Sequence, residues 1–198
     1  MPEIKLRKAV ESDSGALLRI YRPYVEHSSA TLEDDVPSHE EFLARVRTIS
    51  TDFPYLVCEA NGKIVGYAYA HSYKERSGYR FCAELSVYVA EDSRGMGIGG
   101  RLYKALIDIL RAMGYKNLYG IVTDPNEGSF ALHKSLGFRE TGREHLSGVK
   151  FGKWHDVVLF EKHIASHYTS SGIDGTRPLK INELPVEIFS GILAKYCE

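Results

Sequence analysis

The stretch Arg94–Gly100, "RGMGIGG", decides how this chain is to be read. From Gly95 to Gly100 it fits G-x-G-x-x-G letter for letter, the phosphate turn of dinucleotide-binding proteins. Counted from the arginine, the same residues spell Arg94-x-x-Gly97-x-Gly99. Both readings rest on the same physics. Glycines let the backbone turn sharply and approach an anion, and the helix that follows offers N–H groups without intrahelical partners. The flanking elements must separate the two.

Downstream lies the clearest helix of the chain, with Leu102, Leu106, Ile109, Leu110 and Met113 as its apolar stripe and Gly114 as its stop. Upstream, "RFCAELSVYVA" reads as a strand. Before it, "PYLVCEA" and "KIVGYAYAH" flank Asn61-Gly62, the strongest short hairpin signal. Earlier still come a strand at "IKLRKAV", a helix over "ESDSGALLRIYRPYVEHS" with Ser12 or Asp13 as cap, and a helix over "SHEEFLARVRTIS" with Ser38 capping and Glu41 answering it. After the long helix follow a strand at "NLYGIVT", a short helix in "DPNEGSFALHKSLGF" capped by Asp124 or Asn126, and strands around "FRETGREHL" and "WHDVVLFEKHI". A dinucleotide-binding unit opens on its glycine loop, continues through parallel strands and places an acidic residue some way on. Asp124 meets the last condition; the antiparallel hairpin ahead of the loop fits poorly.

The 198 residues carry 25 Lys plus Arg against 26 Asp plus Glu, a balance that argues against bulk attraction to nucleic acid or an anionic membrane. Cys58, Cys82 and Cys197 are scattered, with no metal-ligand spacing, as expected of reduced thiols in the cytoplasm. "MPEIKLRKAV" has no apolar signal core, and no stretch has the length of a membrane span. The expected organisation is one domain over residues 1–165, then a polar linker and an amphipathic helix over 166–198. Ile188, Ile192 and Tyr196, spaced by four, form the apolar side of that helix. It is too short to fold alone, so it docks on its own domain, docks on a partner or stays loose.

The arginine-led motif and the order of elements resemble the GNAT superfamily of N-acetyltransferases. The segments "CAELSVYV", "RGMGIGGRLYKALI", "DPNEGSFALHKSLGF" and "GVKFGKWHDVVLFE" are similar to its phosphinothricin acetyltransferase branch, over roughly residues 3–164. The resemblance implies an α/β (α+β) fold with a mixed, mostly antiparallel sheet flanked by helices. It further implies acetyl-CoA as co-substrate, no metal, a small-molecule amine as acceptor and a homodimer. Arg94, Gly95, Met96, Gly97, Ile98, Gly99 and Gly100 become the pyrophosphate loop. Val87, Tyr88 and Val89 become the strand residues that meet the pantetheine arm, and Asn126 and Ser129 cofactor contacts on the short helix.

Taken alone, Glu84 is as readily a solvated strand residue as a functional one, since Ser86 and Tyr88 alternate with it. The resemblance makes it the general base that an α-ammonium requires before it can attack. His133 is open between a packed core histidine and an acid for the leaving thiolate. Asn126 is equally well a plain helix cap. Arg76 and Tyr79 sit in "HSYKERSGYRF", on its face a solvated loop; in the resembled branch the matching pair grips the acidic groups of the substrate. Leu32 stands where that branch often has an aromatic residue, which reshapes the substrate wall. Trp154, His155 and Asp156 mark the branch and serve strand packing or a dimer contact. Acetylation of polyamines or peptide N-termini, and a non-catalytic acyl-CoA sensor, are the alternatives.

Overall fold

The computed structural model describes residues 2–168 and 176–197. The core of the expected linker, residues 169–175, lies outside the described residues. In chain order the elements are β1 (Ile4–Lys8), α1 (Ser14–His27), α2 (His39–Asp52), β2 (Tyr55–Ala60), β3 (Lys63–Ser72), β4 (Cys82–Val89), α3 (Ile98–Met113), β5 (Asn117–Asp124), α4 (Glu127–Ser135), β6 (Arg139–Lys150), β7 (Lys153–His163) and α5 (Val186–Ala194). The strands form a seven-stranded sheet in the order β1-β2-β3-β4-β5-β7-β6. Every pairing is antiparallel except β4 with β5. This is the mixed, mostly antiparallel sheet expected from the sequence.

Strand alternation sends successive side chains to opposite faces and so builds two cores. Tyr55, Val57 and Tyr67 face α1 and α2, where Leu17, Tyr21, Val25, Phe42 and Val46 meet them. Leu56, Ala68 and Leu85 face α3 and its stripe of Leu102, Leu106, Ile109, Leu110 and Met113. On β4 the alternation turns Ala83 and Leu85 into the α3 core. It leaves Glu84, Ser86 and Tyr88 on the α1–α2 side.

Local signals place the ends of these elements. Asn61 (φ 50°) and Gly62 (φ 78°) form the β2–β3 turn, a left-handed pair that suits a two-residue hairpin. Ser38 and Glu41 form the reciprocal cap of α2, at 3.2 and 2.7 Å. Asp13 departs from expectation: it precedes α1, but its side chain makes no cap bond to that helix. Its carboxylate accepts two hydrogen bonds from Arg7, at 2.7 and 2.9 Å, and one from the Val10 N–H. The Arg7 fork and the Val10 amide together turn the carboxylate back toward β1 and away from the α1 amides.

The feature that positions the site is where β4 leaves β5. Their ladder runs from Cys82 opposite Asn117 to Glu84 opposite Tyr119 and stops there. β4 continues to Val89 and β5 to Asp124, so the two strands part like the arms of a V.

Of the fates open to the last helix, docking on its own chain is the one observed. Ile181, Leu184, Ile192 and Leu193 are buried in the α3 core, with Phe189 and Tyr196 packed against them. Ile188 does not belong to this face: it is 47% exposed, and Phe189 takes its place. The Tyr196 hydroxyl donates to Asp108 on α3 at 2.7 Å, and Lys180 pairs with Asp52 at 2.9 Å.

Candidate active site

A cleft of about 790 Å³ opens between the parted strands. Its walls include Leu85–Val89 of β4, the loop residues Arg94, Gly95 and Gly97, the first turn of α3, and Asn126 and Ser129 at the start of α4. Gly95 (φ 79°) and Gly97 (φ 76°) hold the left-handed backbone that an L side chain resists. Gly97 is the N-cap of α3, and the first helical hydrogen bond runs from Arg101 N–H to Gly97 C=O at 3.0 Å. The Ile98, Gly99 and Gly100 amides therefore start the helix without intrahelical acceptors. A Cβ at Gly95, Gly97 or Gly100 would meet only open space, whereas at Gly99 it would touch Leu132 and Val89. The loop is thus an amide cradle with room over it, at the positive end of a 16-residue helix. Arg94 lies over the Tyr24 ring, 4.9 Å from its centroid. Met96 is 47% exposed and stands outside the cleft wall. The Asn126 side chain accepts from the Ser129 N–H at 3.1 Å and so caps α4 at the cleft edge. Between the two candidate caps of that helix, Asn126 is the one in place.

Glu84 sits on the last rung of the β4–β5 ladder, one residue before the cleft wall begins. Its side chain is 18% exposed, and His71, opposite it on β3, brings Nε2 to 3.7 Å from Oε1. Burial pushes the Glu84 carboxyl above its ordinary range, while the neighbouring His71 pulls it back down. A carboxylate held in this way binds a proton more readily than a solvated one.

His133 lies at the base of the cleft, 2% exposed. Its Nδ1 donates to the Ser129 C=O at 2.8 Å, and the ring stacks on Phe160 and meets Tyr103 and Phe138 edge-on. The Nε2 atom has no hydrogen-bond partner and faces Gly120, where any Cβ would collide with the imidazole. Burial lowers the His133 pKa.

The expected substrate residues gather elsewhere. Arg76 and Tyr79 line a separate open depression of about 450 Å³ with Lys74 and Glu75. The Lys74 ammonium lies 4.9 Å from the centre of the Tyr79 ring and 5.0 Å from that of Tyr73. Tyr73 in turn stacks on Tyr119 at 3.8 Å, and Tyr119 is the rung partner of Glu84. Aromatic rings thus run from the depression to the β5 residue that pairs with Glu84 in the ladder. Leu32 packs on Gly148 of β6, where a Cβ would drive into it. Neither Leu32, Arg76 nor Tyr79 lines the large cleft.

A family model described as an acetyltransferase (GNAT) domain matches residues 6–159, most of the chain. The chain belongs to the GNAT acetyltransferases. A phosphinothricin N-acetyltransferase of Alcaligenes faecalis is 38% identical to it over 159 residues, which cover 79% of this chain and 81% of that one. An L-methionine sulfoximine/L-methionine sulfone acetyltransferase of Salmonella typhimurium is 33% identical over 163 residues, covering 82% and 95%. Among solved structures, a GNAT superfamily phosphinothricin acetyltransferase from Sinorhizobium meliloti in complex with AcCoA superposes with a TM-score of 0.83 at 32% identity. That match covers 92% of this chain and 98% of the other.

Three residues at or near this acetyltransferase's cleft escaped the sequence reading. His71 reaches Glu84 only through the β3–β4 register, which nothing local encodes. The Tyr24 hydroxyl lies on the Val89 backbone, accepting its N–H at 3.1 Å and donating to its C=O at 2.7 Å. Tyr103 donates to the Leu85 C=O at 3.0 Å. No local pattern in the sequence singles out either tyrosine. Trp154 is 63% exposed on β7, His155 Nδ1 donates to Asp124 C=O at 3.2 Å, and Asp156 binds Arg143 and the Leu146 N–H. Among the described residues no group of three His, Cys, Asp or Glu side chains could hold a metal ion, and no helix is long and apolar enough to cross a membrane.

Proposed function

We propose that this acetyltransferase moves the acetyl group of acetyl-CoA directly onto the α-amino group of a small amino acid analogue. The acceptor class is that of phosphinothricin, methionine sulfoximine and methionine sulfone. The observation that carries the reading is Glu84 on the last rung before the strands part, at the start of an open strand edge that runs on toward the glycine cradle. The residues fit the co-substrate: the open space over Gly95, Gly97 and Gly100 admits a pyrophosphate to the free amides of α3. When bound, acetyl-CoA supplies an activated acyl thioester. Val87 turns its N–H toward the cleft and stabilises the negative charge that develops on the thioester oxygen. Glu84, directly or through a water, takes the proton that keeps the ammonium from attacking. The amine then forms the C–N bond, the C–S bond breaks, and the coenzyme A thiolate leaves and takes up a proton from water as the new amide nitrogen loses its own.

Neither cysteine near the central sheet is suited to carry an acyl group. Burial pushes the Cys58 thiol up to about 11 and raises Cys82 as well, which leaves both protonated at neutral pH. Transfer is therefore direct. We read His133 as a positioning group: its Nδ1 proton is committed to Ser129, and a neutral imidazole has none to give at Nε2. Arg76, exposed and beside Tyr79, is the group we assign to the substrate's acidic end, since a guanidinium fork suits a carboxylate or phosphinate. The exposed Leu146, Val149, Phe151 and Trp154 on β6, β7 and their connecting turn support a homodimer through that edge. The unpaired cysteines support a cytoplasmic setting.

A free-thiol release assay with acetyl-CoA tests the reading across amino acid analogues, polyamines and peptides. Turnover of methionine sulfone or phosphinothricin is the expected result. Activity confined to polyamines or peptide N-termini would overturn the substrate class, and binding of acetyl-CoA with no turnover of any amine would favour a sensor.

A further inference from the structure

Beyond Glu84, every second residue of β4 points its N–H and C=O away from β3 and into the cleft. The Ala90 N–H goes to Val65 on the β3 side, so Val89, Val87 and Leu85 face the gap. Tyrosines from opposite faces of the sheet reach this edge. Tyr103 of α3, 1% exposed, caps the Leu85 C=O, where the next ladder bond to β5 would otherwise form. Tyr24 of α1, half-buried on the cleft wall, bridges the N–H and C=O of Val89 with its single hydroxyl. Between them, the Val87 N–H and C=O have no protein partner among the described residues.

The crotch of the V is built to hold Tyr103 in place. Its ring meets the His133 imidazole edge-on at 5.4 Å, and His133 fits over β5 only because Gly120, next after the last rung, has no Cβ. The Tyr24 ring is fixed in turn by Tyr88, edge-on at 5.1 Å, and by the Arg94 guanidinium over its face.

We infer that Tyr103 and Tyr24 are positioning residues whose hydroxyls bracket the parted strand edge, end its ladder and leave Val87 as the single open rung for the thioester. The inference rests on the reading that this edge receives acetyl-CoA. It goes further by saying what keeps the strands apart and what sets the register of the acyl group along β4.

The test compares wild type, Tyr103→Phe and Tyr24→Phe. For each, calorimetry gives the acetyl-CoA Kd, steady-state kinetics separate KM from kcat, and thermal melting reports the fold. Each substitution is expected to raise Kd and the KM for acetyl-CoA about tenfold, the equivalent of one well-placed hydrogen bond, with kcat nearly unchanged. Tyr103→Phe also lowers melting, because the buried Leu85 C=O loses its partner, while Tyr24→Phe melts close to wild type. A purely structural role would lower melting and leave Kd alone, and that result would overturn the inference. So would tighter binding by Tyr24→Phe, which would make that hydroxyl a competitor of the cofactor arm. Tyr24 lies on the cleft wall, so its variant keeps the test open should Tyr103→Phe fold poorly. If wild type itself binds no acetyl-CoA, the functional reading fails. If wild type binds and both variants match it, the bracketing alone fails.

Discussion

The sheet leaves strand backbone unpaired at its outer strands β1 and β6 and again along β4 past Glu84, and the molecule treats β1 and β4 in opposite ways. At β1, the outermost strand, the C-terminal segment folds back over the edge, and the Leu6 N–H meets the Cys197 sulfur at 3.2 Å. Buried Ile192 and Leu193 anchor that cover. Along β4 past Glu84 the described residues supply the Tyr24 and Tyr103 hydroxyls, and the edge between them faces a cleft of about 790 Å³. An unpaired strand edge invites pairing with whatever arrives. Covering β1 and leaving β4 open puts an unpaired edge between Glu84 and the glycine cradle. The contrast shows that cover is selective: β1 is closed over, while the β4 edge left open runs from Glu84 toward the glycine loop.

Glu84→Gln should break the open side alone. The isostere keeps the shape and removes the basicity, so kcat falls by about 10²–10⁴ while acetyl-CoA affinity and melting stay near wild type. A variant with normal turnover would return Glu84 to the status of a strand residue. Arg76→Lys sharpens the picture on the substrate side. Loss of a forked contact should lower kcat/KM for the amino acid about tenfold and leave the KM for acetyl-CoA in place. An equal effect on both substrates would contradict that assignment.

A pH profile probes the same side more finely. Because burial raises the Glu84 pKa above 4.5, and a base must be ionised to act, activity should be lost as pH falls through a limb above that value. His71 holds the carboxyl down, so His71→Gln should move the limb to higher pH. A limb that stays put would remove His71 from the electrostatics of the site. The smallest effect belongs to the covered side. Tyr196→Phe deletes the hydroxyl bond to Asp108 and should lower stability by about 1 kcal/mol in denaturant titration, with kcat untouched.

What the amino-acid order disclosed was local. The glycine loop, the Asn61-Gly62 turn, the Ser38–Glu41 cap and the apolar stripe of α3 are each written within a few neighbouring residues, because backbone sterics and helical period act at that range. What stayed hidden depends on partners far along the chain. Asp13 looked like a cap until Arg7 claimed it. Ile188 looked like the inner face of α5 until docking rotated Phe189 inward. The end of the β4–β5 ladder joins residues 84 and 119, and no propensity marks where such a pairing stops. His71, Tyr24 and Tyr103 were missed for the same reason: their roles exist only once those registers are set. Arg76 and Tyr79 were legible as a pair, and they do share one depression.

Residue-resolved hydrogen exchange at Leu6 and Val87, with and without acetyl-CoA, tests the contrast between the two edges most directly. Leu6, already bonded to Cys197, should exchange slowly and be indifferent to the ligand. The Val87 amide should exchange fast in the free enzyme and slow markedly once acetyl-CoA is added. Protection of Val87 without the ligand, or no change on adding it, would contradict the claim that the open edge is the acyl-CoA site.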